Sequence, residues 1–222
     1  MIVDKKLDFK IQGSIKKSKV CLIFLHGWMG NKDSFSGVSE SFRIDSSICI
    51  FPQGPYKVNN NKKYSWTYEK SPGVFEKNEP IRLLLDFFEN HIFNNFSSTD
   101  VYLFGFSQGG LVCYELLKII DKPLGGIFPI SGFIARIDNF KEARQKLLDK
   151  NTVRVHPSQR ETPIIIGHGT SDDVISIEQS ELAYELLSKE SDNVQLKLYN
   201  GGHKINFSYI KEVKKFIERK YK

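Results

Sequence analysis

The sequence predicts an α/β protein, with a mainly parallel sheet covered by helices on both faces. Short runs at residues 20–25, 101–104 and 164–166 are apolar throughout, as strands buried on both faces are. Longer stretches between them carry apolar residues at three- and four-residue spacing, the pattern of helices with one buried face. The two kinds of segment alternate along the chain. That alternation builds parallel sheets with crossover helices.

In order, Leu7, Phe9 and Ile11 alternate with polar neighbours and predict an edge strand with one solvated face. The run at 20–25 predicts a central strand that stops at His26-Gly27, and the run at 48–51 a second that stops at Pro52. Residues 52–79 show little periodicity and hold the breakers Gly54-Pro55 and Pro72-Gly73. A loop of that length inside a compact domain is uncommon and usually functional or mobile. Its aromatics, among them Tyr64, Trp66 and Tyr68, predict packing against something apolar.

Ile81, Leu84, Leu85, Phe88, Ile92 and Phe96 then mark a helix, with Pro80 suited to its first turn. A strand at 101–104 leads into a helix carrying Leu111, Val112 and Leu116, followed by a strand near 127–130. Residues 138–149 read as a polar amphipathic helix. Beyond it come a strand at 164–166, a helix at 177–187, a strand marked by Val194, Leu196 and Leu198, and a final helix with Ile210, Val213, Phe216 and Ile217. Parallel sheets gather ligands at the carboxyl ends of their strands, so the chemistry is expected just after the apolar runs.

A chain of 222 residues is expected to form one domain over 1–222, large enough to bury its core without disulfides or a structural metal. Cys21, Cys49 and Cys113 sit inside apolar segments without C-x-x-C spacing, which reads as buried thiols in a reducing compartment. No stretch approaches the roughly 18 apolar residues that span a bilayer. The start of the chain does not lead from positive charge into a long apolar run. A cytoplasmic protein without stable membrane insertion is expected. The net charge of +6 comes largely from scattered lysines and the last helix, a solvated face that calls for no nucleic-acid partner. No metal is expected, since H-E-x-x-H and cysteine pairs are absent. No cofactor is expected either, since G-x-G-x-x-G and the P-loop lysine pattern are missing.

Gly105-Phe106-Ser107-Gln108-Gly109 matches G-x-S-x-G between a strand and a helix. This is the setting of a nucleophile elbow, in which the serine occupies a strained turn and the helix N-terminus offers donors to a developing oxyanion. A serine hydroxyl needs a base. His91 lies in a helical stripe, His156 in an irregular segment, and His26 and His168 precede glycines at strand ends, where they shape loops. His203 follows Gly201-Gly202 beyond the last strand and is the candidate base. Thr170-Ser171-Asp172-Asp173 follows the 164–166 strand and offers two candidate acids. The chain order serine, aspartate, histidine is that of the α/β-hydrolase fold.

Four segments together resemble the phospholipase/carboxylesterase family, which includes the acyl-protein thioesterases. They are Leu25-His26-Gly27-Trp28, Gly105-Phe106-Ser107-Gln108-Gly109-Gly110, His168-Gly169-Thr170-Ser171-Asp172 and Gly202-His203. Their order covers nearly the whole chain. The resemblance implies an α/β-hydrolase that cleaves small carboxylic esters or thioesters through Ser107. It also implies Asp172 as the acid, by a His-Gly-x-x-Asp pattern, and the backbone N–H groups of Trp28 and Gln108 as oxyanion donors. The chain departs from the family at Trp28-Met29-Gly30, at Ser176 where a proline is common, and in the length and polarity of 138–161.

Fold and motif alone leave open a peptidase, a lactone hydrolase, an acyltransferase, or an inactive binding protein on the same scaffold. Because 52–79 follows a strand end, Trp66 is expected to wall the substrate pocket, with an indole that buries apolar area and presents a donor.

Overall fold

A computed structural model describes residues 6–58, 62–72, 74–134 and 154–222. The helix expected at 138–149 lies outside them. Near the start of the chain, β1 (Phe9–Gln12), β2 (Val20–Leu25) and β3 (Ser47–Pro52) form, with the short helix α1 (Ser39–Phe42) before β3. Residues expected to be an aperiodic loop contain four short strands, β4 (Tyr56–Val58), β5 (Lys63–Ser65), β6 (Tyr68–Ser71) and β7 (Val74–Glu76). They pair as two antiparallel ribbons, β4 with β5 and β6 with β7. Strands of three or four residues are too short to display a period, which is why the sequence reads there as loop.

Helix α2 (Asn78–Phe87) then leads, through one wider π-type turn at Phe88–Ile92, to β8 (Val101–Phe106). The remaining elements alternate: α3 (Gln108–Leu117), β9 (Gly126–Ile130), β10 (Ile164–Gly169), α4 (Ile177–Leu187), β11 (Val194–Tyr199) and α5 (Phe207–Arg219). The main sheet runs β1-β3-β2-β8-β9-β10-β11. Only β1 is antiparallel to its neighbour, pairing Phe9 with Pro52 and Gln12 with Cys49 at the edge. All other neighbours are parallel.

The apolar runs owe their uniformity to burial on both faces. In β2, Cys21, Ile23 and Leu25 join one core with residues of α2, α3 and α4. Val20, Leu22 and Phe24 face the other core, which holds Phe42 of α1 and Tyr209, Ile210, Val213 and Ile217 of α5. Alternate residues of one strand thus feed opposite layers. Lys211, Lys215 and Arg219 of α5 lie on its exposed side. Cys21, Cys49 and Cys113 are buried and free. Among the described residues, no helix is long and apolar enough to cross a membrane.

The strand order reverses direction at β2 and β8: the chain steps from β2 out to β3, then returns to β8 on the opposite side of β2. Outside their carboxyl ends lies the crevice where ligands of such sheets bind. Helix α3 approaches it closely because glycines line the contact. A Cβ on Gly105 would strike the Gly109 carbonyl and the Cys113 sulfur, and one on Gly109 would strike the Leu25 carbonyl.

Backbone atoms cannot swing aside, so Gly105→Ala is expected to lower unfolding free energy by about 1–3 kcal/mol. Gly37→Ala, where a Cβ meets nothing within 4 Å, is expected to stay within about 0.5 kcal/mol of the parent. Urea midpoints of the three proteins check both.

Candidate active site

Ser107 stands between β8 and α3 with φ 55° and ψ −114°. That left-handed φ is costly for a serine and persists only where surroundings enforce it. Its N–H donates to the Ile130 carbonyl of β9 at 2.9 Å, and its own carbonyl accepts from Gly110 N–H at 2.9 Å and Leu111 N–H at 3.3 Å. The turn is thereby clamped from the sheet and from the helix. On its other side, a Cβ on Gly27 would lie 3.3 Å from the Ser107 Cβ, so the loop after β2 passes directly beside the serine.

His203 and Asp172 meet across the ends of β11 and β10. His203 Nδ1 lies 2.8 Å from Asp172 Oδ2, and since a carboxylate only accepts, Nδ1 carries the proton of that bond. Asp172 Oδ1 accepts from Val174 N–H at 3.0 Å and Ile175 N–H at 2.9 Å. The carboxylate side chain has no solvent exposure. Burial works against its ionisation, but the Ile175 N–H, His203, the nearby Ser131 hydroxyl and the Val174 N–H outweigh it and hold the group below the usual carboxylate range. Asp173 is exposed. Of the two acids that the sequence leaves open, Asp172 carries the bond to His203.

The His203 ring packs on Phe106, the residue before the serine, at 4.7 Å between centroids. Among the described residues, no hydrogen bond joins Ser107 Oγ to His203. Such contacts are often long without substrate and tighten when it binds.

Two further histidines brace the loops. His168 Nε2 donates to the Ile175 carbonyl at 2.9 Å and lies 3.5 Å from Asp172 Oδ2, while Nδ1 accepts from the Ser180 hydroxyl at 2.7 Å. His26 Nδ1 donates to the Gly27 carbonyl at 2.7 Å, and its Nε2 accepts from Gly54 N–H at 2.9 Å. Both rings are buried. Burial lowers the affinity of each for a proton, in His26 to a pKa of about 4.

Trp28 follows Gly27 and is 62% exposed. Gln108 opens α3; a helix's first N–H groups have no partner within it. The Gln108 side chain is fully engaged: Oε1 accepts from Trp66 N–H at 2.9 Å, and Nε2 donates to Ser65 Oγ at 3.0 Å and Thr67 Oγ1 at 2.9 Å.

The expectation for Trp66 needs correction. Its side chain is 0% exposed, and its indole N–H donates to the His26 carbonyl at 2.8 Å. It presents no surface to a pocket and instead holds the loop after β2. The sequence reveals an aromatic near the site but not which way the ring turns. The His26–Trp66–Gln108 network is likewise absent from the motif reading, because its partners lie some 40 residues apart. Among the described residues, no group of three or more His, Cys, Asp or Glu side chains could hold a metal ion.

A central parallel sheet, a serine on a strained turn after β8 and a histidine–aspartate pair on later strand ends define an α/β-hydrolase. The chain matches the model of the phospholipase/carboxylesterase family over residues 7–221 and belongs to that family. It is 27% identical over 231 residues to acyl-protein thioesterase 1 of Candida albicans, covering 94% of this chain and 95% of that protein. It is 23% identical to carboxylesterase SOBER1 of Arabidopsis thaliana, covering 92% of each. Among solved structures, esterase PE8 superposes with a TM-score of 0.79 at 20% identity, over 97% of this chain and 99% of that one.

The buried histidines make stability depend on pH. Between the ordinary histidine value of 6.5 and about 4, the unfolded chain binds a proton that folded His26 refuses. Stability is therefore expected to fall as pH drops through that window, and His168 adds in the same direction. Asp172 adds its own loss only below its ordinary 3.8. Urea midpoints between pH 7 and 4 check the sign, and His26→Asn is expected to flatten the curve.

Proposed function

We propose that the protein hydrolyses small carboxylic esters and thioesters through an acyl-enzyme on Ser107. The observation that carries this reading is the 2.8 Å bond between His203 and Asp172 beside a serine held at φ 55°. Nδ1 is committed to the carboxylate, so Nε2 is the atom left to take a proton. Relatives named acyl-protein thioesterase and carboxylesterase, aligned over most of their length, support the substrate class.

In this mechanism Ser107 Oγ attacks the acyl carbon as its proton moves to His203 Nε2. Asp172 stays ionised and stabilises the imidazolium without taking the proton. The carbonyl oxygen becomes an oxyanion that accepts hydrogen bonds from the Trp28 and Gln108 N–H groups. Collapse breaks the bond to the alcohol or thiol, which leaves with the proton from His203. Water then attacks the acyl-enzyme, giving His203 a proton that passes back to Ser107 Oγ as the carboxylic acid departs.

Ser107→Ala is expected to lose turnover by a factor on the order of 10⁶ while remaining folded, and to lose labelling by a fluorophosphonate. Activity within tenfold of the parent would overturn the assignment. Asp172→Asn is expected to cost about 10⁴ in kcat through the wrong histidine tautomer, with exposed Asp173→Asn within tenfold. Steady-state kinetics on p-nitrophenyl butyrate and an acyl thioester read both rankings.

A further inference from the structure

The peptide between Gly27 and Trp28 is held by its oxygen. Gly27 C=O accepts from His26 Nδ1 at 2.7 Å and from Gly30 N–H at 3.0 Å. A trans peptide is planar, with N–H opposed to C=O, so fixing the oxygen aims the Trp28 N–H. The preceding peptide is held the same way, its His26 carbonyl accepting the Trp66 indole N–H at 2.8 Å. We infer that His26 is a positioning residue for the oxyanion donor Trp28 N–H, acting through the Gly27 carbonyl, and that Gly54 and the stretch from Tyr64 to Trp66 hold it in that role. The inference rests on the proposed role of Trp28 N–H in hydrolysis.

The chemistry of the ring depends on its tautomer, and the surrounding groups decide it. A carbonyl can only accept, so Nδ1 must carry the proton; the Gly54 N–H can only donate, so Nε2 must not. Gly54 in turn sits against the Ser65 backbone, where a Cβ would collide with the Ser65 carbonyl carbon at 2.7 Å. Tyr64 N–H donates to the Gly30 carbonyl at 2.8 Å. Trp66 N–H and the Ser65 and Thr67 hydroxyls grip the side chain of Gln108, whose own N–H is the other oxyanion donor. Gly54 and the stretch from Tyr64 to Thr67 thus brace both peptides that face the developing charge.

Two replacements separate positioning from mere support. Asparagine places an amide N–H as many bonds from Cα as Nδ1, keeping the donor to Gly27 and losing the acceptor for Gly54. Glutamine reaches as far as Nε2, keeping that acceptor and losing the donor to Gly27. His26→Gln is expected to lower kcat about 100-fold, the scale of losing one oxyanion donor, with KM within threefold. Its affinity for an alkyl boronic acid, whose serine adduct carries the tetrahedral oxygen, should fall in parallel. His26→Asn should keep kcat within tenfold even if its urea midpoint drops further.

Equal losses of kcat in the two variants, or a Gln variant as active as the parent, would overturn the positioning role while leaving Ser107 chemistry intact. A parent with no Ser107-dependent turnover would overturn the underlying reading instead. Should the Gln variant not fold by circular dichroism, Trp66→Phe is the second probe. It keeps a buried aromatic ring and the Trp66 backbone N–H, and removes the indole N–H together with part of the ring. The expected result is a kcat about tenfold lower at unchanged KM, and unchanged kcat would overturn the role of the segment.

Discussion

Ser107 adopts a backbone conformation that an L-residue takes only under constraint, and much of the structure around it supplies that constraint. The Ile130 carbonyl of β9 draws in its N–H, and the Gly110 and Leu111 N–H groups of α3 converge on its carbonyl. Neither would reach unless helix and sheet came closer than side chains permit. Gly105, Gly109, Gly110 and Gly132 make that approach possible, with Gly110 and Gly132 packed backbone to backbone. The elbow is therefore a property of three elements packed together. Its strain is sustained by the buried core on both faces of β8, where Leu103 and Phe104 have no exposure.

From that turn outward, the site is assembled from loops at the carboxyl ends of β2, β8, β10 and β11, whose parallel register brings their ends into line. The candidate acid is held by more bonds than the candidate base. The Asp172 carboxylate is held by two backbone N–H groups and its side chain has no exposure, whereas His203 is bound through one nitrogen, rests on Phe106 and keeps 17% of its side chain exposed. In the proposed mechanism the base passes a proton between a serine, a leaving group and water, which calls for its second nitrogen to be open on that side. In that mechanism, orientation through Nδ1 by an ionised partner leaves Nε2 free.

The segment from Pro52 to Glu79 has a clearer structural part than its irregular sequence suggests. Its two ribbons pair apart from the main sheet, and Trp66, between them, contacts the loop after β2. There Trp66 spends its ring on the core and both of its N–H groups on the carbonyl of His26 and the amide of Gln108. Buried polar groups without partners are costly, so these bonds make the arrangement specific as well as stable.

The sequence by itself determined the alternation of strand and helix, the β1 edge, and the serine and histidine singled out as candidates. Such features are local: burial on two faces writes itself as an apolar run, and a tight turn as glycines at set spacing. It left Asp172 and Asp173 as equals until the family resemblance was weighed, since adjacent residues differ only in which way their side chains point. It mistook 52–79 for loop and Trp66 for a pocket wall, because short ribbons have no readable period and a ring's direction depends on partners 40 residues away. Tertiary structure alone decided that His203 bonds to Asp172 and that His26, Trp66 and Gln108 form one network. The reason is physical: hydrogen bonds between strand ends exist only once the sheet has brought those ends together.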